Sequence, residues 1–277
     1  MEELIENAMY QKFLEPLEMG IKIGLKDLSR TQVKHEETKS LLKQVSNTLK
    51  NSKKLLNENK FIDSNSLLRC SIEYLAMGML IEEDENVYKE FIDLSLTERK
   101  HTKPLQLVKR FGRRTKEYCK TLFTDTNLKE REILFEGLYD TLCSYTHSSL
   151  LIYLFDKVKD KKEKNVLRML MNLNLYFVKL VYYFCLKHIT KNEYEVIEVG
   201  SIFFSFMCYS LEINNYISKN EISFAKYNKY LHVCNNNIDL ISEQQKQLKK
   251  INDDFSEKEF TREERQMLEE ELKKYLK

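Results

Sequence analysis

Proline and glycine are scarce in this sequence, and tryptophan is absent. Only 2 prolines and 6 glycines occur among 277 residues. Hairpin turns, glycine-rich phosphate loops and dinucleotide-binding crossovers depend on these residues, because their backbones need a fixed or a left-handed conformation. The scarcity argues against those architectures and favours helices throughout. With 42% hydrophobic residues, the chain can bury the core of one large domain or of two modest ones.

A strong net charge is also lacking. Lysine and arginine (45 residues) nearly cancel aspartate and glutamate (43 residues), which leaves a net charge of +2 at pH 7. Domains that bind nucleic acid through an overall basic field have a pI above about 9. Any nucleic-acid site in this chain is therefore expected to be local.

Motifs for metal, nucleotide and disulfide chemistry are missing as well. The sequence has no H-E-x-x-H, no zinc spacing of cysteine and histidine, no Walker loop, no G-x-S-x-G elbow and no dinucleotide fingerprint. We therefore expect no metal and no cofactor. The six cysteines form no C-x-x-C pair and have mostly apolar neighbours, which is typical of reduced core thiols in a cytoplasmic protein. The N-terminus begins acidic, so no secretion signal is predicted.

The best candidate for a membrane span runs from Met169 to Leu186. Asn172, Asn174 and Lys179 interrupt this apolar stretch. A charge in the middle of a spanning helix costs about 2.5 to 3.5 kcal/mol on insertion scales. We interpret the stretch as a buried core helix and expect no membrane partner.

Helical periodicity extends along most of the chain and predicts an all-α protein. A second helix is expected to follow Ser29 and Thr31, and another to begin at Pro104, a residue suited to a first helical turn. We predict N-terminal helices over 1–60, a helical bundle core over 61–216 and a polar helical extension over 217–277.

The third predicted helix, SNSLLRCSIEYLAMGMLIEED, is apolar on nearly every side and belongs in the middle of a bundle. Asp63 or Ser64 can cap its first turn. Between Ser64 and Ile81 its only charged residues are Arg69 and Glu73, four apart and so on one face. They can form a structural ion pair, or the arginine can bind a phosphate through its fork of donors.

A second polar set lies on a long predicted helix within LYDTLCSYTHSSLL. Asp140, Ser144 and His147 are spaced at i, i+4 and i+7, which places them on one face. A buried imidazole among polar neighbours can act as an acid, a base or a phosphate contact near neutral pH. The alternative is a structural histidine whose hydrogen bonds are satisfied inside the fold.

The segments LLRCSIEYLAMGML and LYDTLCSYTHSS together resemble those of uncharacterised HEPN-like proteins, in which an R-x-x-x-E helix packs against one that ends in a Tyr-x-His segment. The resemblance covers residues 35–190. It implies an antiparallel helical bundle with additional C-terminal helices. It also implies a metal-independent endoribonuclease of a bacterial toxin, antiviral defence or stress system, acting as a dimer with a composite site. The expected catalytic residues are His147, Arg69, Glu73, Asp140 and Ser144.

The sequence departs from the HEPN pattern at one point. Catalytic members carry an arginine four to six residues before the histidine, whereas Asp140, Thr141 and Leu142 stand upstream of His147. The spacing occurs literally only in SRTQVKH, where we interpret it as coincidence. A noncatalytic protein that binds a helical partner or a second copy of the chain therefore stays open.

The densest positive segment is KRFGRRTK, residues 109–116. Such a run is usually a solvated turn between helices, but it could also contact RNA phosphates while Phe111 and Tyr118 stack on bases. This third hypothesis is a regulator that binds nucleic acid without cutting it. Its binding residues are Lys109, Arg110, Arg113 and Arg114.

Overall fold

A computed structural model describes residues 17–96, 104–120, 135–140, 142–143, 160–192 and 219 of the chain. Every regular element in these ranges is an α-helix, which confirms the all-α prediction, and the helices pack as a bundle. The helices are α1 (17–28), α2 (Glu36–Asn57), α3 (Phe61–Glu83), α4 (Glu85–Leu96), α5 (Pro104–Tyr118), α6 (135–140) and α7 (Lys161–Thr190).

The start of α2 differs from the sequence-based expectation. The helix begins at Glu36 and not after Ser29 or Thr31. Both hydroxyls point backwards, since Ser29 donates to the carbonyl of Lys26 at 2.6 Å and Thr31 to that of Asp27 at 2.9 Å. These side chains therefore close α1 instead of opening α2, a competing use of short polar side chains that sequence spacing does not reveal.

The predicted cap of α3 was also wrong. The helix begins at Phe61, so Asp63 and Ser64 lie inside its first turn. Asn59 takes a left-handed conformation with φ 58°, which ends α2 and leaves only three residues between the two helices. The Ser64 hydroxyl is used for packing against α2 rather than for capping.

The helices α2 and α3 form an antiparallel pair with small side chains between them. Ser52 lies against Ser64 at one end, with their hydroxyl oxygens 2.9 Å apart. In the middle Ser71 donates to Thr48 at 2.7 Å. At the far end a Cβ on Gly78 would lie 3.3 Å from the Leu41 side chain. Such side chains let the two backbones approach closely, and each buried hydroxyl finds a partner.

The longest described helix, α7, lies parallel to α3 and antiparallel to α2. It begins behind Asp160, whose carboxylate accepts a hydrogen bond from the Lys162 amide at 2.7 Å. It is also the one helix in the described part of the chain that is long and apolar enough to cross a membrane. Because 89% of its most apolar window is buried against the rest of the protein, it has the character of a soluble protein's core helix.

A carboxylate between two ammonium groups ties α1 to α2 and α7. Glu18 Oε1 lies 2.7 Å from Lys179 Nζ and 2.9 Å from Lys53 Nζ. The Lys179 side chain is only 6% exposed, and this burial lowers its pKa despite the neighbouring carboxylate. Burial alone would raise the pKa of Glu18, but Lys179 and Lys53 outweigh that effect and hold the pKa below 4.5.

This ion cluster predicts a specific acid sensitivity. A carboxyl group whose pKa is lower in the folded than in the unfolded chain stabilises the fold above its unfolded pKa of 4.5, and loses that contribution as the pH falls through the folded value. We expect the stability difference between wild type and Glu18→Gln to be constant near neutral pH and to shrink below pH 4.5. Urea unfolding at several pH values measures it, and a pH-independent difference would contradict this prediction.

Two glycines on helices are expected to respond oppositely to alanine. At Gly137 an added Cβ meets nothing within 4 Å, whereas at Gly24 it would lie 3.1 Å from the Leu186 Cβ. Alanine favours a helix over glycine by about 1 kcal/mol. Thermal melting should therefore show Gly137→Ala raising the free energy of unfolding by roughly this amount, and Gly24→Ala giving no gain or a loss. An equal gain in both variants would refute the close approach of α1 and α7.

Candidate functional site

One partly exposed face of α3 carries Arg69 and Glu73. Ile62, Arg69 and Glu73 share this face, since they are separated by seven and four residues. Arg69 Nε lies 3.4 Å from Glu73 Oε1, and the two side chains are 24% and 23% exposed. The predicted pairing within α3 is therefore present, in a half-buried setting that water can still reach.

Two further side chains join this pair from the segment around α6. The Tyr139 hydroxyl donates to Glu73 Oε1 at 2.5 Å, and Cys143 lies beside both Tyr139 and Arg69. We call Arg69, Glu73, Tyr139 and Cys143 the α3 polar cluster. The short hydrogen bond from Tyr139 to the Glu73 carboxylate is charge-assisted. Such hydrogen bonds are stronger than those between neutral groups.

The hydroxyl and the thiol of the cluster are both held in their neutral forms. Burial raises the pKa of Tyr139 far above its ordinary value, and the hydrogen bond to ionised Glu73 raises it further. Burial likewise raises the pKa of Cys143 despite its contact with Arg69. Because a nucleophilic cysteine needs a lowered pKa, the cluster does not have the chemistry of a thiolate enzyme.

Of the three residues predicted to share a face of the long helix, the structure describes only Asp140. Asp140 follows Tyr139 directly, and its side chain is exposed. Ser144 and His147 lie outside the described residues. Tyr139, which the sequence reading did not select, lies beside Glu73.

The signal that could have identified Tyr139 and Cys143 was weak. The two residues are four apart and so share a helix face, next to the buried positions Leu138 and Leu142. A tyrosine and a cysteine in an apolar segment are usually core residues, and nothing local shows that an ion pair lies opposite.

The basic segment KRFGRRTK is part of α5, so its interpretation as a solvated turn was wrong. Lys109 and Arg110 are engaged by acidic residues, with Lys109 Nζ 2.8 Å from Glu136 and Arg110 Nη2 2.8 Å from Asp84. The other two predicted binding residues lie on the exposed surface of α5. They are Arg113 and Arg114.

The aromatic residues of α5 are unable to stack on an exposed base. Phe111 and Tyr118 are fully buried, with their ring centroids 5.7 Å apart, and Phe111 also packs edge-on against Phe135 at 5.3 Å. On the same helix Arg113 and Arg114 are exposed, whereas these rings are buried. Base stacking on these rings is therefore excluded in the folded protein.

The literal arginine–histidine spacing of SRTQVKH lies in the connection between α1 and α2. Arg30 is exposed, whereas the His35 ring stacks on Tyr88 with centroids 3.5 Å apart. His35 Nε2 also lies 3.5 Å from Glu85 Oε2. This histidine thus attaches the α1–α2 connection to α4, and that contact accounts for it structurally.

A second mixed polar group lies where α3, α5 and α7 end. His188 Nε2 is 3.8 Å from Glu83 Oε1, and its ring packs edge-on against Tyr118 at 5.0 Å. Burial raises the pKa of Cys185 well above its ordinary value, and the neighbouring Cys119 adds to the rise. Cysteines of this kind are inert core thiols, as predicted from their apolar neighbours.

Within the described ranges, no three or more histidine, cysteine, aspartate or glutamate side chains form a group that could hold a metal ion. Comparison with protein-family models, with curated protein sequences and with solved structures finds no match to this chain. The candidate site is therefore interpreted from its own residues.

Proposed function

We propose that the protein is a HEPN-like, metal-independent endoribonuclease of a bacterial defence or stress system, which acts in the cytoplasm as a dimer. The observation that supports it is the α3 polar cluster, which joins the R-x-x-x-E pair to the segment that precedes His147 in the sequence. Those are the two segments on which the resemblance rests. His147 follows Cys143 by four residues, the spacing of neighbours on one helix face.

In the proposed mechanism Arg69 binds the scissile phosphate and His147 moves the protons. The planar guanidinium matches two phosphate oxygens and stabilises the charge that develops on them. Glu73, held by Tyr139, fixes the direction of the Arg69 side chain. The imidazole accepts the proton of the ribose 2′-hydroxyl as that oxygen attacks phosphorus, and the imidazolium so formed gives a proton to the leaving 5′-oxygen.

This route makes RNA the substrate and DNA an inert analogue. The bond formed joins the 2′-oxygen to phosphorus and the bond broken joins phosphorus to the 5′-oxygen, so the products carry a 2′,3′-cyclic phosphate and a 5′-hydroxyl. We expect the purified protein to cleave an oligouridine RNA in EDTA and to leave the matching deoxyuridine strand intact. Cleavage of both strands, or cleavage that EDTA abolishes, would contradict the mechanism.

A noncatalytic interaction protein is the second candidate, and the cluster itself supplies the observation in its favour. Glu73 is paired with Arg69 and also accepts the Tyr139 hydrogen bond, which is how a purely structural network would satisfy a half-buried carboxylate. This candidate predicts no RNA cleavage by wild type at any salt or metal concentration. Salt-dependent RNA binding without cleavage, weakened by Arg113→Glu together with Arg114→Glu, would instead indicate the regulator.

A further inference from the structure

An open cleft of about 620 Å³ lies where the connection between α2 and α3 meets the first turns of α7. Pockets that hold small ligands span roughly 300 to 1,000 Å³, so the cleft has room for a phosphorylated molecule or for part of a nucleic-acid strand. Among the described residues that line it, none belongs to the α3 polar cluster or to the exposed arginines of α5. The lining residues are Asn59, Lys60, Phe61, Ile62, Asp63, Lys161, Lys164, Asn165 and Arg168.

The charge of the cleft is predominantly positive. Four of the nine lining side chains are cations and one is a carboxylate, whereas the whole chain carries a charge of only +2. Lys60 is paired with Glu58 at 2.8 Å, and Arg168 lies 3.4 Å from the Asn165 amide oxygen. Lys161 and Lys164 are exposed and lie three residues apart, on one face of α7. Cations gathered in a concave site attract anions more strongly than the same cations on a flat surface.

The other lining residues suit a ligand that has uncharged parts beside its phosphate groups. Phe61 and Ile62 are half-buried and give the cleft an apolar wall, and Asn59 and Asn165 add amide groups beside it. The first turns of α3 and α7 form the two sides, and the positive ends of their dipoles add a smaller attraction for anions. Asp160 already occupies one amide of α7, so the lysine and arginine side chains supply most of the attraction.

We propose that this cleft binds phosphate groups, with Lys161, Lys164 and Arg168 as the contacting cations. Ile62 on its wall lies seven residues before Arg69, which is about 10 Å along the axis of the same helix face. The phosphates can therefore belong to an RNA strand that continues to the α3 polar cluster, and this source rests on the proposed function. The alternative source, a free phosphorylated small molecule, does not.

The test measures binding to the full chain with two probes, fluorescein-labelled oligouridine and inorganic pyrophosphate. The RNA arm uses fluorescence anisotropy in the His147→Ala background, where cleavage does not interfere, and the pyrophosphate arm uses calorimetry. We compare Lys161→Gln/Lys164→Gln with Lys43→Gln/Lys50→Gln, which removes the same charge from exposed positions of α2. Circular dichroism checks that each variant is folded.

We expect Lys161→Gln/Lys164→Gln to bind the probe about tenfold more weakly, because it loses charged hydrogen bonds to the phosphates. The affinity of the α2 variant should change less than twofold. In the RNA arm the salt slope should also fall by about 1.4, the release from two phosphate contacts on a single strand. Binding of RNA alone identifies the strand as the source, and binding of pyrophosphate identifies the small molecule.

Equal weakening in both variants, or no binding of either probe by the unsubstituted protein, would overturn the proposal. Binding that depends on the cleft in a protein that never cleaves RNA would remove the proposed nuclease function and leave the phosphate site in place. If the protein cleaves RNA but Lys161 and Lys164 contribute nothing to binding, the phosphate site is removed and the nuclease function stays in place.

Discussion

Arg69→Ala is expected to lower the rate of RNA cleavage by about 100-fold or more, because removal of one preorganised donor to a developing oxyanion typically has an effect of this size. The Arg69 side chain is 24% exposed, and Glu73 directs its guanidinium. Single-turnover cleavage of labelled oligouridine measures the chemical step. Lys43→Ala, at an exposed position on α2, is the matched control for loss of one positive charge.

Arg69→Lys distinguishes a phosphate contact from a structural ion pair. Lysine keeps the charge beside Glu73 but loses the planar fork, so we expect folding to be retained and cleavage to stay low. Glu73→Gln should give a smaller loss, since Glu73 acts through the position of Arg69 and not on the RNA. If Arg69→Lys cleaved RNA as fast as wild type, Arg69 would serve only as a cation and the fork geometry would have no role.

Glu18→Gln is expected to give the largest loss of stability among the single changes considered. It leaves the Lys179 ammonium, 6% exposed, without its carboxylate and close to the second ammonium of Lys53. Breaking a buried ion pair costs about 3 to 5 kcal/mol, but Glu18 is 41% exposed and water can reach the site, so we expect about 2 kcal/mol. Urea unfolding with a two-state fit measures it.

Two further variants make this result specific to the buried lysine. Glu36→Gln breaks an exposed pair with Lys39 on α2 and should change the free energy of unfolding by less than about 0.5 kcal/mol. Adding Lys179→Met to Glu18→Gln removes the uncompensated ammonium and should recover most of the loss. A double variant no more stable than Glu18→Gln alone would show that the loss has another cause.

The fold class followed from the sequence because scarce glycine and proline and a period of 3.6 both point to helices. The helix starting at Pro104 and the buried character of the 169–186 stretch were predicted for local reasons and are confirmed. The helix caps were predicted wrongly, because the hydroxyls of Ser29, Thr31 and Ser64 can form hydrogen bonds forwards, backwards or across to another helix. Only the packed neighbours decide among these partners.

The candidate site was predictable only in the part that lies on one helix. Arg69 and Glu73 are four apart, so their pairing follows from helical geometry. The Tyr139 contact crosses 66 residues of sequence, and no local pattern assigns a tyrosine to a particular carboxylate. The phosphate cleft was even less predictable, because Lys60 and Lys164 line it together only through the packing of α7 beside α3. In the sequence they look like ordinary surface lysines.

The most direct test of the nuclease proposal is cleavage of labelled oligouridine in EDTA by wild type beside His147→Ala, once circular dichroism and thermal melting show that the variant is folded. We predict that wild type cleaves the RNA to products with 2′,3′-cyclic phosphate ends and that His147→Ala loses about 100-fold or more of the rate, the lower range for a general acid–base group. Absence of cleavage by wild type, or an unchanged rate in folded His147→Ala, would contradict it.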